Sequence, residues 1–139
     1  MPESLESVII SDDITKIDVD AFRGCRNLKS IVIPNSVIVI NESAFENCSG
    51  LTSIIISSNI VRIWDLAFDG CIDLTSVTIE SSNVYKTLTS YDSCGKLIEN
   101  ATEIIVPKHI VDNYTNSFLN DSNYFDKSIN GENYIFSKK

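Results

Sequence analysis

Four cysteines, Cys25, Cys48, Cys71 and Cys94, stand 23 residues apart, and most of the chain keeps the same interval. Leu5, Leu28, Leu51, Leu74 and Leu97 recur in step, as do Ala21, Ala44 and Ala67 beside Phe22, Phe45 and Phe68. Val8, Ile31, Ile54 and Val77 follow it, then Ile10, Ile33, Ile56 and Ile79. Two further files are Ile14, Val37 and Ile60, and Ile17, Ile40 and Ile63. So many positions in one register define a tandem repeat. A unit of 23 residues cannot bury its apolar face alone, so it must stack on a neighbour.

Each unit carries a local pattern. "LKSIVIP" and "LTSIII" are short β-branched runs with alternating faces, which predicts strands. Leu28, Ile31 and Ile33 point inward, and Ser30 and Val32 outward. Stacking sets equivalent strands side by side, about 4.8 Å apart, in one parallel sheet. The following stretch, "NSVIVINESAFENCSG", spaces its apolar residues as turns and short helical pieces do. Asp18 and Asn41 suit turn geometry; Trp64 holds the equivalent place and reads as a surface aromatic.

The fourth unit departs from the pattern, with Asn83, Lys86, Ser90 and Tyr91 where Ile or Val, Ile, Ala and Phe are expected. The next strand, "TEIIVP", arrives four residues late, which places an insertion around 98–101. Beyond it, "KHIVDNYTNSFL" puts Ile110, Val111, Tyr114, Phe118 and Leu119 along one helical face, and "ENYIF" reads as a final strand. The expectation is an α/β solenoid. Residues 1–107 hold about four units and a fifth strand in one parallel sheet of about five short strands, and 108–139 form a helical C-terminal cap.

The unit "LKSIVIPNSVIVINESAFENCSGL" resembles the BspA-like leucine-rich repeat, a 23-residue pattern of Leu, Ile, Ile-Pro, Ser-Val, Ile, Ala-Phe, Cys and Leu. The resemblance covers roughly residues 5–107. It implies a right-handed solenoid used for adhesion or partner recognition rather than catalysis, on cell-surface or secreted proteins.

Composition narrows the function further. A net charge of −8 argues against nucleic acid, since phosphate binding needs clustered Lys and Arg. No apolar run approaches the roughly 20 residues that span a bilayer. The segment "MPESLESVII" lacks the basic and long apolar regions of a signal peptide.

Cysteines at a repeat interval invite a chemical reading, and the spacing weighs against it. Zinc sites bring thiolates together in close pairs, whereas here every gap is 23 residues and the sole histidine is His109. Equivalent side chains in a stack point the same way, which suits a disulfide badly. A ladder of buried thiols, with Cys48 packed beside Phe45 and Leu51, is the expectation. No Gly-rich phosphate loop and no repeated carboxylate pair appears, so no catalytic residue, metal or cofactor is expected. Asn-x-Ser/Thr sequons begin at Asn41, Asn47, Asn100, Asn113 and Asn120, and matter only in a eukaryotic secretory pathway.

The outward strand positions are the candidate site. Ser7, Ser30, Ser53 and Ser76 form one row, and Ile9, Val32, Ile55, Thr78 and Ile105 a second. An apolar stripe on an open face marks an interaction surface. The expected partner is a protein or a glycan held by this face. The alternative is a spacer in a longer array, with self-association as a homodimer through the N-terminal edge, where the unit beginning at Leu5 has no cap.

Overall fold

A computed structural model of the protein describes residues 4–88, 93–114 and 117–139. Among these the elements run β1 (Lys16–Ile17), β2 (Val39–Ile40), β3 (Ser53–Ile56), β4 (Arg62–Ile63), β5 (Ser76–Ile79) and α1 (Ser82–Thr87). A 3₁₀ turn (Ser93–Lys96) leads to β6 (Glu103–Pro107) and α2 (Lys108–Asn113). A second 3₁₀ turn (Phe118–Asn120) precedes β7 (Phe125–Asn130) and β8 (Asn133–Lys138).

The 23-residue interval is the register of the main chain. β1, β2 and β4 pair in parallel, with Ile17 opposite Ile40 and Ile40 opposite Ile63. β3 and β5 pair in parallel with Ser53 opposite Ser76 and Ile55 opposite Thr78. β6 continues that ladder with Ser76 opposite Glu103, an offset that absorbs the four inserted residues.

Burial follows the repeat files. Leu28, Leu51, Leu74 and Leu97 are buried, as are Ile31, Ile54 and Val77, and Val37 and Ile60. Phe22, Phe45 and Phe68 stack face to face with centroids 5.3 and 5.2 Å apart. Burying such side chains is the main drive for stacking the units, since each fully buried aliphatic or aromatic contributes roughly 1.5–3 kcal/mol. The turn between the two strand positions is fixed by main-chain bonds to the next unit. Phe22 N–H donates to the Ala44 carbonyl at 2.7 Å and Phe45 N–H to the Ala67 carbonyl at 2.8 Å.

Three expectations are corrected. First, the five-stranded sheet has the order β3-β5-β6-β8-β7, and only its first three strands are parallel. The first two units contribute a single parallel bridge, Ile9 to Val32. Pro34 accounts for part of this: it has no amide to give the Ile10 carbonyl the bond that Glu80 N–H gives Ile56.

Second, the stretch after each strand holds a further ladder, β1-β2-β4, rather than helical pieces. Among the described residues of the repeat, an α-helix appears in the fourth unit, where α1 buries Val84 and Tyr85. Ser81 caps it, its hydroxyl accepting from Val84 N–H. Asn83 and Lys86 therefore mark a changed local structure; Ser90 and Tyr91 lie outside the described residues.

Third, the C-terminal segment is not a helical cap. α2 ends at Asn113, and an antiparallel hairpin covers the end of the sheet, with Ile104 opposite Phe136. Gly131, at φ 61°, opens the two-residue turn between β7 and β8, the position where a hairpin loop favours glycine. Tyr85 ties this end to the stack: it is buried, and its hydroxyl accepts from Asn120 Nδ2 at 2.7 Å.

Candidate recognition face

In each strand phase, alternate residues turn to opposite sides. Ile54 and Ile56 are buried while Ser53 and Ile55 are exposed. The same division puts Ile9 at 98%, Val32 at 80% and Ile55 at 52% exposure, with Thr78 and Ile105 half-buried. Ser7, Ser30 and Ser53 are exposed and Ser76 is half-buried.

Pairing brings these residues together in two groups. Ile9 meets Val32 across the isolated bridge. Ile55, Thr78 and Ile105 run as one file across β3, β5 and β6. Between the groups, Thr52 bonds the Lys29 carbonyl through its amide at 3.2 Å and its hydroxyl at 3.4 Å. A hollow of about 670 Å³ opens beside the first group, lined by Ile9, Val32, Pro34, Asn35 and Ser36 among others.

The hairpin extends both rows beyond the repeat. Ile135 stands opposite Ile105, and Ser137 opposite Glu103. Paired residues share a face, so the apolar file continues through Ile135 and the polar file through Glu103 and Ser137. The alternation in "ENYIFSK" held this signal, but antiparallel pairing was needed to fix its face.

The cysteines lie on the inner side. Cys25, Cys48 and Cys71 are buried, and the Cys48 and Cys71 thiols donate to the Phe22 and Phe45 carbonyls at 3.0 and 3.1 Å. Burial, and then the neighbouring thiol, pushes each of these two up to about 12. Cys94 leaves the ladder. At φ 55° it sits in the kink of its 3₁₀ turn, half-buried, with Sγ 3.1 Å from Thr87 Oγ1. Thiols held in the protonated form are poor nucleophiles and poor metal ligands. Among the described residues no three His, Cys, Asp or Glu side chains converge as a metal site.

Other polar side chains singled out by sequence are engaged or isolated. Asn41, Asn100 and Asn120 spend their side-chain amides on Ile17 O, Cys71 O and Tyr85 Oη. Asn113 is exposed. His109 is exposed beside Glu80 and Ser82 at a hollow of about 290 Å³. Trp64 is exposed with the Arg62 guanidinium 3.7 Å above its ring. No helix among the described residues is long and apolar enough to cross a membrane.

No curated protein and no solved structure matches the chain. The BspA type leucine-rich repeat region matches residues 1–125, in six copies. That range takes in the stacked units and the start of the hairpin, and with it the chain belongs to the BspA-type leucine-rich repeat family.

Proposed function

We propose that this chain is a non-enzymatic recognition module whose outward strand face takes a protein partner. In this reading residues 1–107 form a right-handed solenoid and 108–139 close it. Repeats of this family generally serve protein interaction and adhesion rather than catalysis, and typically belong to cell-surface or secreted proteins. A surface location is part of the proposal for this chain.

The observation that carries the reading is the exposure of the outward apolar residues Ile9, Val32 and Ile55, with half-buried Ile105 beyond Thr78 on the same face. From Ile31 and Ile33 onward the inward files at the same strands are buried, so folding already has its core without this one. Exposed aliphatic side chains in a row favour a partner that covers them. The row holds no aromatic ring on which a sugar could stack, so aliphatic protein surface suits it better than a glycan. The flanking serines add hydroxyls that both donate and accept.

A photoreactive side chain at position 55, compared with one at the exposed Ile72 on the turn side, tests this on intact cells or extracts of the source. Capture of a protein from position 55 and not from 72 is expected. Capture of the same species from both positions, or from 72 alone, defeats the proposal.

The second reading is a spacer that self-associates through its N-terminal edge. It is favoured by an apolar hollow of about 440 Å³ at that end, lined by Val8, Ile14, Ile17, Ala21 and Phe22 among others.

A further inference from the structure

We propose that the partner of the outward face is cationic as well as aliphatic. Its apolar side chains cover Ile55, Ile105 and Ile135, and a Lys or Arg reaches Glu103. The inference rests on the recognition reading above and names the chemistry of the partner.

The repeat supplies the first observation. Ser7, Ser30, Ser53 and Ser76 hold one phase of the unit, and Glu103 takes the next place in that row. Hydroxyls that both donate and accept thus give way to a carboxylate that only accepts. Glu103 is exposed between Ser76 and Ser137, with Ile105 two residues along on the same face.

The charges within the chain supply the second. The Glu103 carboxylate has no ion pair or side-chain hydrogen bond among the described residues. Asp126, in the same row beyond Ser137, is answered by Lys139 Nζ at 3.6 Å. The lysines inside these strands, Lys127 and Lys138, hold the opposite phase, across from the buried Phe136 and Phe125. Lys127 Nζ lies 3.9 Å from the Tyr134 ring centre on that side. Among the described residues, the outward phase of β3, β5, β6, β8 and β7 therefore holds two carboxylates and no cation.

What covers Ile105 also takes water from Glu103 beside it. A carboxylate that loses water without gaining a counter-charge opposes binding, and a charge-assisted hydrogen bond from Lys or Arg offsets that penalty. A metal ion is a poor substitute. Glu103 and Asp126 stand two strands apart, about 9.6 Å at the usual strand spacing, which is too far to share one ion. The net charge of −8 also draws a basic partner in from a distance.

Selection from a random linear peptide library on the full chain tests this. Binders that also hold the Ile55→Ser or the Ile135→Ser chain are discarded, and the folding of each variant is checked by circular dichroism. The retained peptides should be rich in Lys or Arg beside aliphatic residues, and their binding should weaken as salt is raised. Glu103→Gln should raise their Kd by about tenfold. Asp73→Asn, at an exposed carboxylate on the turn side, should leave it unchanged. Retained peptides that are neutral or acidic, or that bind the Glu103→Gln chain as tightly as the parent, overturn the basic partner and leave the recognition face standing. An absence of binders that depend on Ile55 or Ile135 overturns the face itself, and this inference with it.

Discussion

Cys48 Sγ lies 3.0 Å from the carbonyl oxygen of Phe22, one unit back, and that oxygen also accepts the Cys25 amide at 3.1 Å. Cys71 repeats the arrangement on Phe45, whose carbonyl accepts the Cys48 amide. Each rung thus fills a carbonyl's second lone pair from the neighbouring unit. This accounts for a small polarisable donor, and not merely a small apolar residue, at the repeat position.

Because the carbonyl keeps one partner when the thiol is removed, Cys48→Ala should cost only about 1 kcal/mol beyond the lost contacts. The pH response is more distinctive. Burial raises the Cys48 and Cys71 thiols from 9.0 to about 12, so above pH 9 the unfolded chain ionises first and the folded chain does not. Their contribution is complete below pH 9 and is lost as pH rises toward 12. Urea titrations at pH 8 and pH 10.5 should show a smaller loss of stability in a Cys48→Ala/Cys71→Ala chain than in the parent; equal losses would contradict the ladder.

Leu51 and Ile55 stand four residues apart on opposite sides of the sheet. Leu51→Ala should cost about 2–5 kcal/mol, as a truncation in a dense core does. Ile55→Ala removes a side chain that is 52% exposed and should cost well under half of that. Thermal unfolding of the two variants gives the comparison, and equal losses would reverse the assignment of faces.

Gly50 is required by space rather than by conformation. A Cβ there would lie 2.3 Å from the Arg26 carbonyl oxygen of the preceding unit. Gly50→Ala should therefore force the units apart at a cost of about 1–3 kcal/mol. Gly24, at φ 78° with open space around it, should lose about 1 kcal/mol to alanine from backbone strain alone. Chemical denaturation of both variants distinguishes the two causes, since only Gly50→Ala should weaken protection of the Thr52 amide against hydrogen exchange.

Leu66 holds a left-handed backbone at φ 58°, where Asp20 and Ser43 have φ 59° and 56°. Asp and Ser relieve that conformation by local hydrogen bonding better than leucine can. Leu66→Gly should stabilise the chain by about 1 kcal/mol, read as an increase in the denaturation midpoint with an unchanged slope.

The inward files were legible because a buried row tolerates few residue types, so Leu28, Leu51 and Leu74 keep time plainly. The four-residue insertion was equally clear, since "TEIIVP" kept its own pattern while arriving late. What stayed hidden was structure without a chemical signature. β1, β2 and β4 are two residues long, too short to show alternation. Asp20, Ser43 and Leu66 share a conformation without sharing chemistry. The hairpin had a signal in Asn130–Gly131, and the periodicity of Ile110, Val111 and Tyr114 outweighed it. On the candidate face, Ser53 and Ile55 could be assigned from alternation, whereas Ile135 joins the row through antiparallel pairing that no repeat encodes.

A partner that covers the outward apolar residues leaves a footprint on them. Once the photoreactive chain has captured that partner, oxidative footprinting of the free chain and the complex compares side-chain accessibility residue by residue. Protection of Val32, Ile55, Ile105 and Ile135 is expected on binding, with Ile38, Val61 and Ile72 oxidised as before. Protection confined to Ile38, Val61 and Trp64, with Ile55 still fully reactive, would contradict it.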